Sequence, residues 1–176
     1  MMTIPGKPSF NLVDHDGTPV TEKTYRGRWL LVFFGFTNCQ VVCPRALRRL
    51  SAVLDEIGDL ADELHPLYIT VDPERDTPAA LREFLHPYPR YTGLTGSADA
   101  LERAKRAFRV FARRRNDPGD PDGYSVLHTA ITYLLSPDGG YVAHFPDALT
   151  AAEVTASLQS LLGPGPLTGA TDPTSF

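Results

Sequence analysis

Apolar residues along this chain recur with two different periods, and the switches between them outline the fold. Phe10-Asn11-Leu12-Val13, a turn through Asp16-Gly17 and then Val20 read as a short hairpin. Trp29 to Phe34 is a near-continuous apolar run with β-branched and aromatic content, the signature of a central strand buried on both faces. Gly35 to Gln40 breaks that run, and Pro44 opens a helix at a position where its missing N–H costs nothing. Leu47, Leu50, Val53, Leu54 and Ile57 then follow at helical spacing, with Gly58 as the stop.

The second half repeats the alternation. Leu67 to Val71 is a strand, and Asp72-Pro73-Glu74-Arg75-Asp76-Thr77 is a turn feeding a helix over Pro78 to Leu85. Tyr91 to Leu94 is a short extended piece. Ser97 caps a helix from Ala98 to about Ala107, Phe108 to Arg113 is a strand or helix end, and Asn116 to Gly123 is a polar loop. Thr129 to Leu135 and Tyr141 to Phe145 flank a turn at Ser136 to Gly140, and a last helix runs from Thr150 to about Leu162. A hairpin, a β-α-β unit, a further helix, a second hairpin and a closing helix predict an α/β fold. The layout is that of a thioredoxin-like fold: a mixed central sheet flanked by helices, preceded by an N-terminal β-hairpin. Residues 1–163 are expected to form this one domain. The Gly-, Pro- and Thr-rich residues 164–176 are expected to be a loose tail.

Composition narrows the function classes. A chain of 176 residues with 42% hydrophobic and 22% charged residues is globular, and a net charge of −4 argues against a nucleic-acid binder. A basic stretch from Arg103 to Arg115 has two readings, a solvated helix face with the strand after it, or a docking patch for an acidic partner. No run approaches the roughly 20 apolar residues of a membrane helix, and Met1 to Phe10 lacks a signal-peptide core.

The chemistry centres on the two cysteines, Cys39 and Cys43. A bridge across so short a spacing removes little loop entropy, so the pair is better explained by reactivity or metal binding than by stapling. The pair lies between a buried strand and a helix N-terminus, whose partial positive charge and unpaired N–H groups stabilise a thiolate. Two such sulfurs can exchange with a disulfide or grip a soft metal ion, and two buried inert cysteines are the bland alternative. Copper(I) suits a site of two sulfurs and one nitrogen. Of the five histidines, His15, His65, His86 and His144 have structural readings, whereas His128 follows the long polar loop and precedes a strand. In a thioredoxin-like fold that point faces the cysteine loop.

Four segments stand out in order: Phe34-Gly35-Phe36-Thr37-x-Cys39-x-x-x-Cys43-Pro44, Val71-Asp72-Pro73-Glu74-Arg75-Asp76-Thr77-Pro78, Gly93-Leu94-Thr95-Gly96, and His128 ahead of Tyr133-Leu134 and Pro137-Asp138-Gly139. Together they resemble the Sco/SenC family, copper-binding proteins needed to assemble cytochrome c oxidase. The resemblance covers about residues 6 to 162. It implies one copper per monomer, as Cu(I) or Cu(II), ligated by Cys39, Cys43 and His128. It also implies that Asp72 supports the site; the competing reading is that Asp72 and Asp76 cap the next helix. The implied function is a metallochaperone that delivers copper to, or prepares, the dinuclear copper site of a cytochrome c oxidase. The implied partners are the copper-bearing oxidase subunit or another copper chaperone. The implied location is periplasmic, or tethered to the membrane facing the periplasm, if the chain is part of a longer one; it is cytoplasmic if Met1 is the natural start.

The same sulfurs also permit thiol–disulfide exchange, with Cys39 and Cys43 as the catalytic pair. A thiol peroxidase fits less well: its Thr-x-x-Cys pattern needs threonine at the place of Phe36 or Gln40, and Thr37 is one residue out of register. The chain also departs from the family. Gln40 and Val41 stand where it usually has Pro and Asp, and Leu127 replaces the acid before the histidine.

Overall fold

The run beginning at Trp29 becomes the spine of the molecule. A computed structural model describes Ile4, residues 6–38 and residues 42–163, without the side chains of residues 42 and 43. Strands β1 (Asn11–Asp14) and β2 (Pro19–Thr21) form the N-terminal hairpin, and β3 (Trp29–Gly35) leads toward α1 (Val42–Glu56). Then come β4 (Leu64–Thr70), α2 (Pro78–Leu85), β5 (Thr92–Thr95) and α3 (Ala98–Phe108). Strands β6 (Ala112–Asn116), β7 (Tyr124–His128), β8 (Ile131–Leu135) and β9 (Tyr141–Pro146) precede α4 (Ala151–Leu162). The expected tail, residues 164–176, lies outside the described residues.

Seven strands make one sheet in the order β2-β1-β5-β4-β3-β8-β9. Strand β3 runs parallel to β4 and antiparallel to β8, and β4 runs parallel to β5, so the sheet is mixed, as the sequence predicted. Side chains alternate across β3. Leu31 packs with Val53, Leu54, Val154 and Leu158 of α1 and α4, while Phe34 on the other face meets Phe108 of α3 with ring centroids 5.3 Å apart. Helix α2 lies over β5. A Cβ at Gly93 would sit 2.9 Å from Leu85 Cδ1 and 3.1 Å from Leu81 Cβ, so any larger residue there would push both leucines of α2 away from the strand.

Three expectations change. Helix α1 begins at Val42, not at Pro44, which places Cys43 inside the first turn. Proline is tolerated there because the first-turn N–H groups have no intrahelical acceptor. Asp72 and Asp76 do not cap α2: Thr77 does, its side chain accepting from the Ala80 N–H. The polar loop of residues 117–123 is the turn of a separate two-stranded sheet, β6 paired with β7. Asp117 N–H donates to Gly123 O, Gly123 N–H to Asp120 O, and Gly123 takes φ +79°, a conformation suited to glycine.

At the end of the sheet where β3 and β4 begin, His65 is packed edge-on against Tyr25, contacts Thr92 Oγ1 through Nε2 at 2.8 Å and lies beside Arg28. Burial, reinforced by the Arg28 charge, lowers its pKa from 6.5 to about 4. The native state therefore binds this proton more weakly than the unfolded chain does. Stability from this group is complete above pH 6.5 and is lost as pH falls toward 4. Denaturant midpoints measured between those limits should rise with pH, and His65→Gln should flatten the rise. An identical slope in the variant would show that His65 is not the group responsible.

Candidate metal centre

The site is built where parallel strands β3 and β4 end. Continuing from β3, Phe36 is buried, and Thr37 and Asn38 follow. Cys39 lies outside the described residues, as does the side chain of Cys43; the Cys43 backbone is the second residue of α1. The first turn of that helix contains no acidic residue, so nothing on it offsets the positive end of the helix dipole.

The approach to Cys39 is tied down by a carboxylate. Asp76 is fully buried. Its Oδ2 accepts from Thr37 N–H at 3.0 Å and Thr70 Oγ1 at 2.7 Å, and its Oδ1 accepts from Thr37 Oγ1 at 2.5 Å. Thr70 Oγ1 in turn accepts from Asp72 N–H at 2.9 Å. Val71 N–H donates to Gly35 O at 2.8 Å, extending the β3–β4 ladder to the mouth of the site. Burial pushes the Asp76 carboxyl above its ordinary pKa, while the bonds from Thr37 and Thr70 pull it down.

Asp72 makes a second set of ties. Its side chain is 2% exposed; Oδ2 accepts from Arg75 Nε at 2.5 Å and Oδ1 from Tyr124 O–H at 3.0 Å. Arg75 also donates to Asp120 at 2.8 Å. The guanidiniums of Arg75 and Arg114 each lie 3.9 Å from the Tyr124 ring centroid, and Arg114 pairs with Glu74 at 2.8 Å. The loop after β4 is thus riveted to both strands of the β6–β7 hairpin.

That hairpin presents His128. As the last residue of β7, His128 sets its ring edge-on against Phe36, with centroids 5.7 Å apart, and against Phe33 at 6.2 Å. Phe36 is three residues before Cys39, so the histidine rests against the segment that leads to that cysteine. His128 Nδ1 lies 3.1 Å from Thr129 O. A carbonyl only accepts, so this bond requires Nδ1–H, which in the neutral imidazole leaves the lone pair on Nε2. The other histidines lie elsewhere: His15 Nδ1 accepts from Gly93 N–H, His86 caps the end of α2, and His144 contacts Tyr141.

These features define a class: a thioredoxin-like domain whose sequence carries a Cys-x-x-x-Cys motif after its central strand, with a histidine set against the end of that strand from a separate hairpin. The SCO1/SenC family model matches residues 4–163, and the chain belongs to that family. It is 39% identical over 166 residues to the human protein SCO1 homolog, mitochondrial, covering 90% of this chain and 55% of the human one. The chain thus spans little more than half the length of that relative. Among solved structures it resembles Bradyrhizobium japonicum ScoI with copper bound, with 37% identity and a TM-score of 0.78 over 88% of this chain and 98% of that one. It also resembles Arabidopsis thaliana ScoI with copper bound, with 32% identity and a TM-score of 0.84 over 91% and 98%.

Sequence reasoning missed Asp76 as a determinant of this site. The available signal was a carboxylate in the turn after a buried strand, beside a threonine at position 70 that apolar neighbours would bury with it. Asp76→Ala leaves the Thr37 N–H and Thr70 hydroxyl without their acceptor and should cost about 1–3 kcal/mol. Asp76→Asn, which keeps one acceptor oxygen, should cost less. Urea unfolding measures both, and an unchanged midpoint for the alanine variant would remove Asp76 from its anchoring role.

Proposed function

We propose that this protein is a copper metallochaperone that carries one copper ion per monomer, as Cu(I) or Cu(II), held by Cys39, Cys43 and His128. Its cargo goes to the dinuclear copper site of a cytochrome c oxidase, or the protein prepares that site by reducing its cysteines. The observation that carries this reading is the placement of His128, fixed by Phe33, Phe36 and the Thr129 carbonyl at the loop leading into Cys39. Two sulfurs and an imidazole nitrogen are a soft donor set suited to copper. Two of the family's solved structures, the Bradyrhizobium and Arabidopsis proteins, are described as holding copper.

Asp72 has a supporting role in this proposal. It is committed to Arg75 and Tyr124, so it fixes the hairpin that carries His128 and does not ligate. The partner is the copper-bearing oxidase subunit or another copper chaperone. The matching location is periplasmic, or tethered to a membrane facing the periplasm. No described helix is long and apolar enough to cross a membrane.

Delivery and thiol reduction use the same sulfurs but differ in their need for histidine. Reduced protein should bind one Cu(I) in competition with a chromophoric chelator. Cys39→Ala, Cys43→Ala and His128→Ala should each weaken binding by at least about tenfold, the lower range for disturbing a metal site. Full affinity in all three variants would overturn the ligand assignment. His128→Ala should still reduce an oxidised copper-site peptide, whereas either cysteine variant should not complete the exchange.

A further inference from the structure

The β6–β7 hairpin has an inward face occupied by the packing already described and an outward face that those contacts leave uncovered. Arg114 turns in to Tyr124 and Glu74, Val126 is buried and His128 meets Phe33 and Phe36. Arg113 and Arg115 alternate with Arg114 and are exposed; neither makes an ion pair with any described residue. Opposite Arg113 in the ladder is Leu127, 39% exposed. Beside the hairpin end, Phe111 is 60% exposed, although its backbone is pinned to Thr129 by hydrogen bonds in both directions. Phe111 and Leu127, with two guanidiniums that make no ion pair among the described residues, thus stand on and beside this ribbon, Leu127 next to His128.

We infer that this face, formed by Phe111, Arg113, Arg115 and Leu127, is the docking surface for an acidic protein partner in copper transfer: a domain with an apolar centre rimmed by carboxylates. The inference rests on the delivery reading above and adds how the partner is recognised. Charge complementarity selects the occupant. The chain as a whole carries −4, so a basic face steers an acidic partner to this end of the molecule against the sign of the overall charge. A second copy docking about a two-fold axis on this face would set arginine against arginine. An exposed Phe–Leu pair supplies the apolar centre that such interfaces place inside a charged rim.

The test is stopped-flow transfer from the copper-loaded protein to the isolated, copper-free soluble domain of the oxidase subunit that carries the dinuclear site. For the unaltered protein the second-order rate should fall as ionic strength rises from about 10 to about 200 mM. The double variant Arg113→Glu/Arg115→Glu should lose roughly tenfold or more in rate at low salt and show no such fall. Phe111→Ser should slow transfer while leaving the salt dependence intact. Copper(I) affinity and the circular dichroism melt should be unchanged in each, and the milder pair Arg113→Gln/Arg115→Gln guards against misfolding by showing an intermediate rate. Unchanged rate and salt dependence in the glutamate pair, with transfer still occurring, would overturn this surface and leave the delivery reading standing. An unaltered protein that binds copper but passes none to the domain would overturn the delivery reading and this inference with it. Binding to anionic phosphatidylglycerol vesicles that the glutamate pair abolishes, with transfer unaffected, would make the face a membrane contact and overturn the proposal.

Discussion

Everything at the candidate centre hangs from one buried carboxylate. Strands β3 and β4 end side by side because their ladder is parallel, but the loops that follow have no ladder of their own. Asp76 supplies the missing ties, gathering the Thr37 N–H, the Thr37 hydroxyl and the Thr70 hydroxyl onto one group. A carboxylate is fitted to this because it accepts from several directions at once and donates nothing. Its burial opposes ionisation, so its value lies in geometry rather than in net stabilisation: removing an acceptor from inside such a cluster costs more than the cluster contributes. Phe36 enters the site from a fixed direction because Thr37, its neighbour, is held at both backbone and side chain.

The second tie follows from the first. Asp76 and Thr70 fix the Asp72 backbone, and Asp72 then has Arg75 and Tyr124 within reach. Tyr124 opens β7, and His128 closes it. The histidine's position is therefore transmitted along a strand of five residues whose far end is anchored by a tyrosine and whose near end rests on two phenylalanines. A support fixed at both ends would limit the entropy that this side chain would lose if it engaged an ion. It also lets the histidine be contributed by an element outside the main sheet.

Much of this was legible in the sequence because it follows from local chemistry. The period-two and continuous apolar runs gave the strands of the main sheet, Pro78 and Ser97 marked helix starts, and the motif series led to the family. Helix α2 falls on Pro78–Leu85 as expected. What was not legible came from partners distant in sequence. β6 reads Ala-Arg-Arg-Arg-Asn, with no apolar alternation at all; it is a strand because Tyr124 accepts arginine on its ring and β7 supplies the ladder. Asp76 resembles a helix cap until Thr37, 39 positions away, is brought to it. The start of α1 moved because a proline is as acceptable within a first turn as at its edge.

The missing acid at Leu127 acquires a physical meaning from this arrangement. Carboxylates are present near the site, but Asp72 and Asp120 are bound to Arg75, Asp76 is turned onto hydroxyls and an amide, and Glu74 faces Arg114. Each is thus turned onto a partner within the protein, with Arg75 shared by Asp72, Asp120 and Asp122. Arg113 and Arg115 have no ion-pair partner among the described residues. A chain that is acidic on average thus turns a basic, partly apolar face outward beside its histidine. Had an acid stood at position 127, it would have lain directly across the ladder from Arg113, close enough to pair with it. Leucine there leaves the guanidinium unpaired and adds apolar area beside it. One substitution therefore changes both the charge and the wetting of the face that a partner would meet, while the elements that hold His128 are untouched.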